Sequence, residues 1–471
     1  MIIGIDVGTQ SVKVVVCDDG LAVLGAASES YPVHHPRPGW AEQDPRDWER
    51  ALGAAIAAAL RDARARADDV TAIGIAGQLD GCIAVDDRGA AIGRALIWID
   101  RRATAELPAL DPDAFAQITG QIADASHMAA KIRWLDRHAP GARRFHQPVT
   151  YLVARLCGEA VMDPSLASTT MLWDLRAGAW SEPLCEAFEI DPLRLPRVAP
   201  AHDTAGALTP AGAAITGLRA GTIVAVGTGD DFATPLGAGV VAPGTIACVL
   251  GTAEVVGALH PSIVIDANKL VETHAYPTST YFIENPGWIA GGAITWLCDL
   301  LETDPATLDR AAEHAAGDVT FLPALGGAMA PEWHANARGA FYGLTPAHGR
   351  GELARAVLEG CAFAARDVID RLASLGVATD RVLLLGGGAS SRVWARIRAD
   401  VTQRPHAIAA RTDTCAIGGA LCASVAARIH GDVIAAASLA PPPVEVIDPG
   451  VGQDASYDRY RRLFDSLKPL F

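Results

Sequence analysis

The stretch MIIGIDVGTQSVKVVVC, residues 1–17, decides the fold of this chain. Its first half is an apolar, β-branched run that ends in the carboxylate of Asp6, and a second apolar run follows Gly8 and Thr9. Two such runs joined by a short turn predict two adjacent strands. A third run, residues 21–27, follows an Asp-Asp-Gly turn, so the chain is predicted to begin as a three-stranded β-meander.

The turn inside this stretch has the chemistry of a phosphate site. Gly8 lets a phosphate approach the backbone, and Thr9 offers a hydroxyl and an amide. Asp6 ends the first strand and is suited to holding Mg²⁺ directly or through water. Taken alone, the same turn is more often an ordinary hairpin with an exposed acid.

The pattern of strands that end in glycine turns continues along the chain. Runs at 70–76, 223–226, 245–250 and 382–385 each end in such a turn, and a further strand is predicted to end at 98–100. Asp44 and Pro45 begin a helix that we expect to reach about Arg66, and 352–375 has helical periodicity. The sequence therefore predicts an α/β fold with two related domains, 1–237 and 238–471, facing a central cleft.

Composition narrows the function. The 471 residues are 50% hydrophobic and 20% charged, which is typical of a folded globular chain. The net charge of −15 argues against nucleic-acid binding. Nine scattered cysteines without a Cys-x-x-Cys pair indicate reduced, mostly buried thiols and a cytoplasmic location. No apolar run suits a membrane span, no secretory signal is visible, and the histidine spacing predicts no structural metal.

Asp230 is the candidate catalytic base. It ends a strand inside a glycine-rich turn and begins a predicted helix, where a carboxylate can accept the proton of a hydroxyl that attacks phosphorus. Helix capping by Asp230 or Asp231 explains the local sequence equally well. Elsewhere, residues 251–252 repeat the Gly-Thr turn, and the three glycines at 386–388 allow a flat ligand such as adenine, or a tight structural turn.

These residues belong to a longer pattern that resembles the FGGY carbohydrate kinases, and within them the xylulokinase branch. The matching segments, in chain order, are 4–9 (GIDVGT), 39–45 (GWAEQDP), 74–78 (GIAGQ), 98–102 (WIDRR), 131–134 (KIRW), 229–231 (GDD), 250–252 (LGT), 321–323 (FLP), 339–344 (GAFYGL) with 352–360 (ELARAVLEG), and 386–389 (GGGA). Ordered agreement is far more specific than any one segment. The resemblance implies two ribonuclease-H-like domains of the actin and sugar-kinase superfamily, and phosphorylation of a sugar by ATP.

The resemblance also implies roles for single residues. Asp230 would be the catalytic base, and Asp6 the residue near Mg²⁺ and the γ-phosphate. Residues expected around the sugar, mainly on the first domain, are Gln78, Leu79, Asp80, Trp98, Asp100 and Asp231. Residues expected to contact ATP, which would bind mainly to the second domain, are Gly8, Thr9, Lys13, Gly251, Thr252, Gly291, Gly388, Ala389 and Ser391. We expect ATP and Mg²⁺ as cofactors and a small sugar or polyol as substrate, and a homodimer is one assembly the chain could form.

Departures from the xylulokinase pattern bear on the substrate. The usual Met-His after Gly-Gln is Leu79-Asp80 here, and the usual Asn after the base is Asp231. Added carboxylates accept hydrogen bonds from hydroxyls and repel an acidic substrate. We expect a neutral, xylulose-like ketose or polyol, with ribulose, erythritol or another polyol as alternatives. A second interpretation is that Asp80 caps a turn without touching substrate.

Other interpretations stay open at this point. Trp98 could border the sugar or pack in the core, and Lys131 is predicted to be an exposed cation on a packed helix. The chain could also be a non-catalytic sugar sensor on the same fold. A sensor would not need a catalytic base, and the chain keeps Asp6, Thr9, Asp230 and Thr252. A chaperone or cytoskeletal protein of the same superfamily would lack the GQ and WxDxR segments.

Overall fold

A computed structural model describes all 471 residues. The α-helices are α1 (Pro45–Asp62), α2 (Pro112–Thr119), α3 (Met128–His138), α4 (Pro148–Cys157), α5 (Pro164–Ser168), α6 (Glu182–Ala187), α7 (Pro210–Thr216), α8 (Asp230–Gly237), α9 (Gly291–Leu300), α10 (Pro305–Glu313), α11 (Arg350–Ser374), α12 (Arg392–Thr402), α13 (Thr414–Ala426), α14 (Val433–Ala437) and α15 (Asp454–Leu467). The strands are β1 (Ile2–Val7), β2 (Ser11–Cys17), β3 (Val23–Ser30), β4 (Glu42–Gln43), β5 (Ala72–Gly77), β6 (Ile83–Val85), β7 (Ala95–Leu96), β8 (Arg144–His146), β9 (Val161–Met162), β10 (Trp173–Asp174), β11 (Ala179–Trp180), β12 (Arg197–Val198), β13 (Thr204–Ala207), β14 (Ile223–Ala225), β15 (Thr228–Gly229), β16 (Gly244–Leu250), β17 (Ala253–His260), β18 (Glu272–Ala275), β19 (Tyr281–Ile289), β20 (Thr320–Leu322), β21 (Ala340–Tyr342), β22 (Thr379–Leu385), β23 (His406–Ile408) and β24 (Glu445–Ile447).

The chain divides into two compact units. The first unit comprises Met1–Val241, His274–Tyr281 and Asp413–Ala440, and the second comprises Ala242–Thr273, Phe282–Thr412 and Pro441–Phe471. A single division near residue 237 does not anticipate the two later segments that return to the first unit.

The main sheet of the first unit positions several of the predicted site residues at one edge. Its order is β13-β14-β5-β1-β2-β3, with β15 also paired to β5. The β1-β2 and β2-β3 pairs are antiparallel, so the predicted meander is confirmed. Strand β5 runs parallel to β1, with Val7 opposite Gly77, and β15 is parallel to β5, with Gly229 also opposite Gly77. Because parallel strands end at the same edge, the turns that follow these three strands are neighbours.

The second unit repeats this arrangement. Its main sheet has the order β18-β19-β17-β16-β22-β23-β24. Strand β16 is antiparallel to β17 and parallel to β22, just as β1 is antiparallel to β2 and parallel to β5. The two glycine turns predicted at 251–252 and 386–388 therefore follow neighbouring parallel strands. The predicted α/β class with two related sheets is confirmed.

Helix α13 lies directly on the main sheet of the first unit. A Cβ atom added at Gly4 would stand 1.9 Å from the Ala416 carbonyl oxygen, and one added at Gly74 would stand 2.0 Å from the Gly419 carbonyl oxygen. Both distances are far below a van der Waals contact, so only glycine fits at these two sheet positions. The close approach makes α13 part of the core of the first unit, although it lies late in the chain.

Two predicted boundaries differ from the structure. Helix α1 ends at Asp62, short of Arg66, because Arg64 has a left-handed φ of 52° that closes the helix. Strand β7 ends at Leu96, and the chain then turns, with the Asp100 amide donating to the Ile97 carbonyl at 3.0 Å. All nine cysteines are free and buried, as predicted. None of the helices combines the length and the apolar composition that crossing a membrane requires.

Candidate functional site

The two acids at the sheet edge are Asp6 and Asp230. Asp6 lies near the end of β1, and Asp230 begins α8 directly after the N-cap residue Gly229. Each side chain keeps some exposure to solvent. Burial raises the pKa of both carboxyls, and the charges of Asp231 and Asp6 raise the pKa of Asp230 further. A carboxylate with a raised pKa is a stronger base, which suits proton abstraction.

The Gly8–Thr9 turn is held from several sides. The Gly8 carbonyl accepts a hydrogen bond from the Tyr31 hydroxyl at 2.5 Å, and the Thr9 carbonyl accepts one from Gln43 Nε2 at 2.6 Å. Trp98 Nε1 donates to Thr9 Oγ1 at 2.9 Å. Thr9 can still donate its hydroxyl proton, so the turn offers a fixed donor.

Lys13 lies on β2, directly opposite Asp6 in the β1-β2 register. Its side chain is exposed, and its positive charge lowers the pKa of Asp6 against the stronger effect of burial. The structure therefore brings the predicted phosphate-side cation next to the predicted metal-side acid.

Gln78 follows β5 and is almost completely buried. Its amide nitrogen donates to Gln43 Oε1 at 2.8 Å, whereas its own Oε1 atom is buried and has no hydrogen-bond partner in the protein. A buried acceptor without a donor costs stability. Gln78 Oε1 could therefore accept a hydrogen bond from a hydroxyl group of a ligand.

Asp80 adopts an uncommon backbone conformation, with φ of 58°. Its amide donates to Gln147 Oε1 at 3.0 Å, and its Oδ2 atom pairs with His127 Nδ1 at 3.1 Å. Its Oδ1 atom is buried without a hydrogen-bond partner in the protein. The neighbouring Leu79 packs toward Gly229, where its Cδ2 atom would lie 3.1 Å from an added Cβ. Asp80 thus contributes a second unused acceptor on the same segment as Gln78.

The prediction that Lys131 is an exposed cation is wrong. Its side chain on α3 is completely buried, and Nζ donates to the carbonyl oxygens of Asp80 and Ile97, each at 2.8 Å, and to that of Ser126. Burial lowers the pKa of Lys131 to about 8, against the opposing charges of Asp80 and Asp100. The burial of Lys131 leaves no local signal in the sequence, because two of its three carbonyl partners lie 34 and 51 residues away.

Asp100 is fully buried, and both its oxygens are hydrogen-bonded. It accepts from the Ala41 amide at 2.6 Å and from the Arg102 guanidinium, whose Nη2 lies 2.7 Å from Oδ2. Arg102 in turn stacks over the Trp40 ring at 3.6 Å. Both oxygens of Asp100 therefore already have hydrogen-bond donors in the protein, whereas Gln78 and Asp80 each keep one oxygen without a donor.

Asp231 follows Asp230 in the first turn of α8. Burial and the charge of Asp80 raise its pKa to about 6, against the opposite effect of His274. His274 comes from a segment that returns to the first unit, so no local sequence signal could have found it. The two carboxylates that distinguish this chain from the xylulokinase pattern therefore influence each other.

In the second unit, Gly251, Thr252 and Gly291 come together. The Gly292 amide donates to the Thr252 carbonyl at 3.0 Å. A Cβ atom added at Gly291 would stand 2.2 Å from the Gly251 carbonyl oxygen. The start of α9 thus lies against the β16-β17 turn, whose residues 251 and 252 are exposed. This places an accessible Gly-Thr turn next to a helix N-terminus, an arrangement that suits phosphate.

A cavity of about 230 Å³ lies beside the glycine loop at the end of β22. Its lining residues are Leu384, Leu385, Gly386, Gly387, Ala389, Ser390, Arg392, Ile408, Ala409, Arg411, Thr412 and Val444. A Cβ atom at Gly387 would meet only open space, so a ligand can approach the backbone there. Apolar walls, an open glycine and two arginines suit a flat base that carries a charged group.

The other two residues predicted in this loop have packing roles. A Cβ atom at Gly388 would stand 2.8 Å from Leu250 Cβ, so this glycine is closely packed. Ser391 caps α12, accepting from the Trp394 amide at 3.0 Å. Of the predicted contacts in this loop, Ala389 alone lines the cavity.

The described chain contains no cluster of three or more His, Cys, Asp or Glu side chains that could hold a metal ion. Asp6 and Asp230 offer carboxylate oxygens, the ligand type that Mg²⁺ prefers. They fit an ion that takes its other ligands from phosphate and water.

Comparisons with known proteins agree with this geometry. The family models for the N-terminal and C-terminal domains of the FGGY family of carbohydrate kinases match residues 1–237 and 246–427. The xylulose kinase of Escherichia coli K12 is 33% identical, with all of both chains covered. The glycerol kinase of Thermococcus onnurineus is 31% identical over 90% of this chain and 89% of its own. The crystal structure of a xyloylose kinase from Brucella ovis is 31% identical and superposes with a TM-score of 0.90 over 100% of this chain and 99% of its own. The chain is a sugar kinase and belongs to the FGGY family of carbohydrate kinases.

Proposed function

We propose that this kinase transfers the γ-phosphate of ATP to a hydroxyl of a neutral ketose or polyol, with xylulose-like substrates preferred. The observation that carries the proposal is that one sheet edge holds Asp6, Asp230 and the unpaired acceptors of Gln78 and Asp80. Burial raises the pKa of Asp230 at this edge, in keeping with a basic role. We assign the sugar to the domain formed by 1–237 and ATP mainly to 238–471. The nine free, buried thiols suit a reducing compartment, which supports a cytoplasmic location.

Asp230 is the base in this proposal. As the substrate oxygen attacks the γ-phosphorus, its proton passes to the Asp230 carboxylate, and the bond from that phosphorus to the bridging oxygen of ADP breaks. The raised pKa brings the carboxylate closer to the operating pH, which favours proton transfer. Thr9 Oγ1, which accepts a hydrogen bond from Trp98, would donate its own to a phosphate oxygen.

The residues that would hold ATP are those of the second unit that stay accessible. Gly387 and Ala389 line the cavity that fits the base, and the exposed Gly251–Thr252 turn fits phosphate oxygens. Asp6 would hold Mg²⁺, directly or through water. When bound, ATP with Mg²⁺ supplies a phosphoryl group whose charge is partly neutralised.

The acceptors near the expected sugar favour a hydroxyl-rich, uncharged substrate. Gln78 Oε1 and Asp80 Oδ1 lack donors, and Asp231 adds a further carboxylate. Hydroxyl groups donate to such atoms, whereas the carboxylate of a sugar acid would be repelled. Xylulose kinases are among the relatives, which favours a xylulose-like ketose, and the glycerol kinases support a polyol as the second candidate.

A substrate panel tests this proposal. Purified protein with ATP and Mg²⁺ is expected to release ADP faster with neutral ketoses and alditols than with any aldonate, measured in a coupled ADP assay. Xylulose, ribulose, erythritol, glycerol and gluconate form the panel, and a reaction without sugar is the control. Faster turnover of gluconate than of every neutral sugar would show that the substrate class is wrong. ADP release that no sugar stimulates would contradict the kinase proposal itself.

The Asp231 carboxyl gives the site an expected pH dependence. Its pKa of about 6 means that it accepts hydrogen bonds above that pH and is protonated below it. The dissociation constant for the sugar is therefore expected to rise as the pH falls from 7 toward 5. Calorimetric titration without ATP measures binding separately from phosphoryl transfer, and the same titration of Asp230→Asn removes any contribution from the protonation of Asp230. The Asp80→Asn variant removes a charge that raises this pKa, so its transition should move to lower pH. Sugar binding that stays constant over this range would contradict the assignment of Asp231.

A further inference from the structure

Lys131 connects three separate segments of the first unit. Its ammonium group donates to the carbonyl of Asp80 after β5, to that of Ile97 just before Trp98, and to that of Ser126 in the loop before α3. An ammonium group has three N–H donors, and all three are used. Lys131 consequently offers none of its donors to a substrate anion, although it lies beside the expected sugar site.

The contacts of Lys131 fix backbone positions. A buried charge is costly unless its hydrogen bonds are satisfied. Here the partners are carbonyl oxygens, and the nearby carboxylates of Asp80 and Asp100 assist through their charge. The buried Lys131 ammonium thus holds the loops that contain Asp80, Ile97 and Ser126 next to one another.

Asp80 depends on this arrangement more than its neighbours do. Its left-handed φ of 58° is uncommon for a residue other than glycine, although aspartate tolerates it better than most, and contacts from outside the segment hold it. Lys131 binds its carbonyl, and Gln147 Oε1 binds its amide. His127, which contacts Asp80 Oδ2 at 3.1 Å, directly follows Ser126, another ligand of the ammonium. Lys131 therefore fixes both Asp80 and the imidazole that orients its carboxylate.

We propose that Lys131 is a positioning residue for the sugar: by holding the Asp80 segment, it presents Asp80 Oδ1 as a rigid acceptor for one substrate hydroxyl. This inference rests on the proposed sugar-kinase function and deepens it. Asp80 Oδ1 is buried and unpaired in the protein, so a substrate hydroxyl would supply its missing donor. Without Lys131, the same carboxylate would be present but misplaced.

A double-mutant cycle tests the proposal with Lys131→Met and Asp80→Ala, assayed with the best sugar of the panel. Lys131→Met is expected to raise the KM for the sugar roughly 10²-fold, because small misplacements near a substrate have effects of that size. The KM for ATP should stay unchanged. Asp80→Ala should have an effect of similar size, and the double variant should be no worse than Asp80→Ala alone, since Lys131 acts through Asp80.

The controls separate positioning from stability. Leu52→Ala, a substitution of a fully buried side chain on α1, should lower the melting temperature and leave the KM for the sugar unchanged. If Lys131→Met does not fold, Lys131→Arg takes its place in the cycle, because it keeps the charge but cannot bring three carbonyls to one atom. A sugar KM equal to that of the wild type, or effects that multiply in the double variant, would overturn the positioning role. A wild-type protein that phosphorylates no sugar of the panel would instead remove the proposed function, and this inference with it.

Discussion

Replacing Asp230 with asparagine is expected to lower kcat for sugar phosphorylation by about 10²- to 10⁴-fold, the usual contribution of a general base. Asparagine keeps the size of the side chain but cannot accept the proton of the substrate hydroxyl. Single-turnover measurement of phosphorylated sugar gives the chemical step directly. The matched control is Asp231→Asn, which removes the neighbouring charge in the same helical turn. It should weaken sugar binding more than it lowers kcat. Near-normal kcat in Asp230→Asn would exclude this residue as the base.

The same substitution should stabilise the protein at neutral and alkaline pH. Burial and two neighbouring acids raise the pKa of Asp230 in the folded state, so the folded state binds more protons than the unfolded state between the ordinary and the raised pKa. Stability therefore falls as the pH rises through that window. Asparagine has no such dependence. The Asp230→Asn variant should melt at a higher temperature than the wild type at pH 8, and the difference should vanish near pH 4.

Replacing Arg398 with methionine is expected to lower the unfolding free energy by about 3–5 kcal/mol, the usual cost of breaking a buried ion pair. Arg398 and Glu254 form a buried ion pair with an Nη2–Oε2 distance of 2.6 Å and side-chain exposures of 1% and 0%. The Cys248 thiol also donates a hydrogen bond to Glu254 Oε1, with an Sγ–Oε1 distance of 3.1 Å. Without the guanidinium, the Glu254 carboxylate stays buried without its charged partner. Urea unfolding, followed by circular dichroism, measures the change in unfolding free energy.

The same helix provides a matched control for this ion pair. Arg392, also on α12, pairs with Glu445 at 2.6 Å, but its side chain is 69% exposed. Arg392→Met should therefore change the unfolding free energy by no more than about 1 kcal/mol. A double variant with Glu254→Leu and Arg398→Met should recover most of the loss, because no buried charge remains. Equal losses in the two single arginine variants would show that burial does not set the strength of this pair.

Local sequence patterns predicted much of the fold. The opening meander, the Asp44–Pro45 helix start and the long helix at Arg350–Ser374 all follow from apolar spacing and capping residues, and the structure confirms them. Boundaries were harder, since the end of α1 depends on a left-handed conformation at Arg64 that its side chain does not favour.

The sequence predicted candidate site residues only where a motif identifies a single position. Asp6, Gln78 and Asp230 lie at one edge because parallel strands end together, which the pattern of strands and glycine turns indicates. The surroundings of Lys131 were not predictable, because its three carbonyl partners lie 5, 34 and 51 residues away. The position of His274 near Asp231 was not predictable either, because His274 belongs to a short segment, His274–Tyr281, that returns to the first unit. Local sequence therefore indicates which candidate side chains lie at one sheet edge better than it indicates which distant groups contact them.

Helix α13 has a consequence for synthesis of the chain. The sheet that carries Asp6 and Gln78 is complete in sequence by residue 229, but the helix that covers it at Gly4 and Gly74 comes from Thr414–Ala426. The face of that sheet that α13 covers must stay without this helix while six of the seven strands of the second sheet, β16–β19, β22 and β23, are translated. At synthesis rates of about 5–20 residues per second, the interval lasts on the order of ten seconds or more. Nascent chains in this interval are the form of the protein that chaperones would meet.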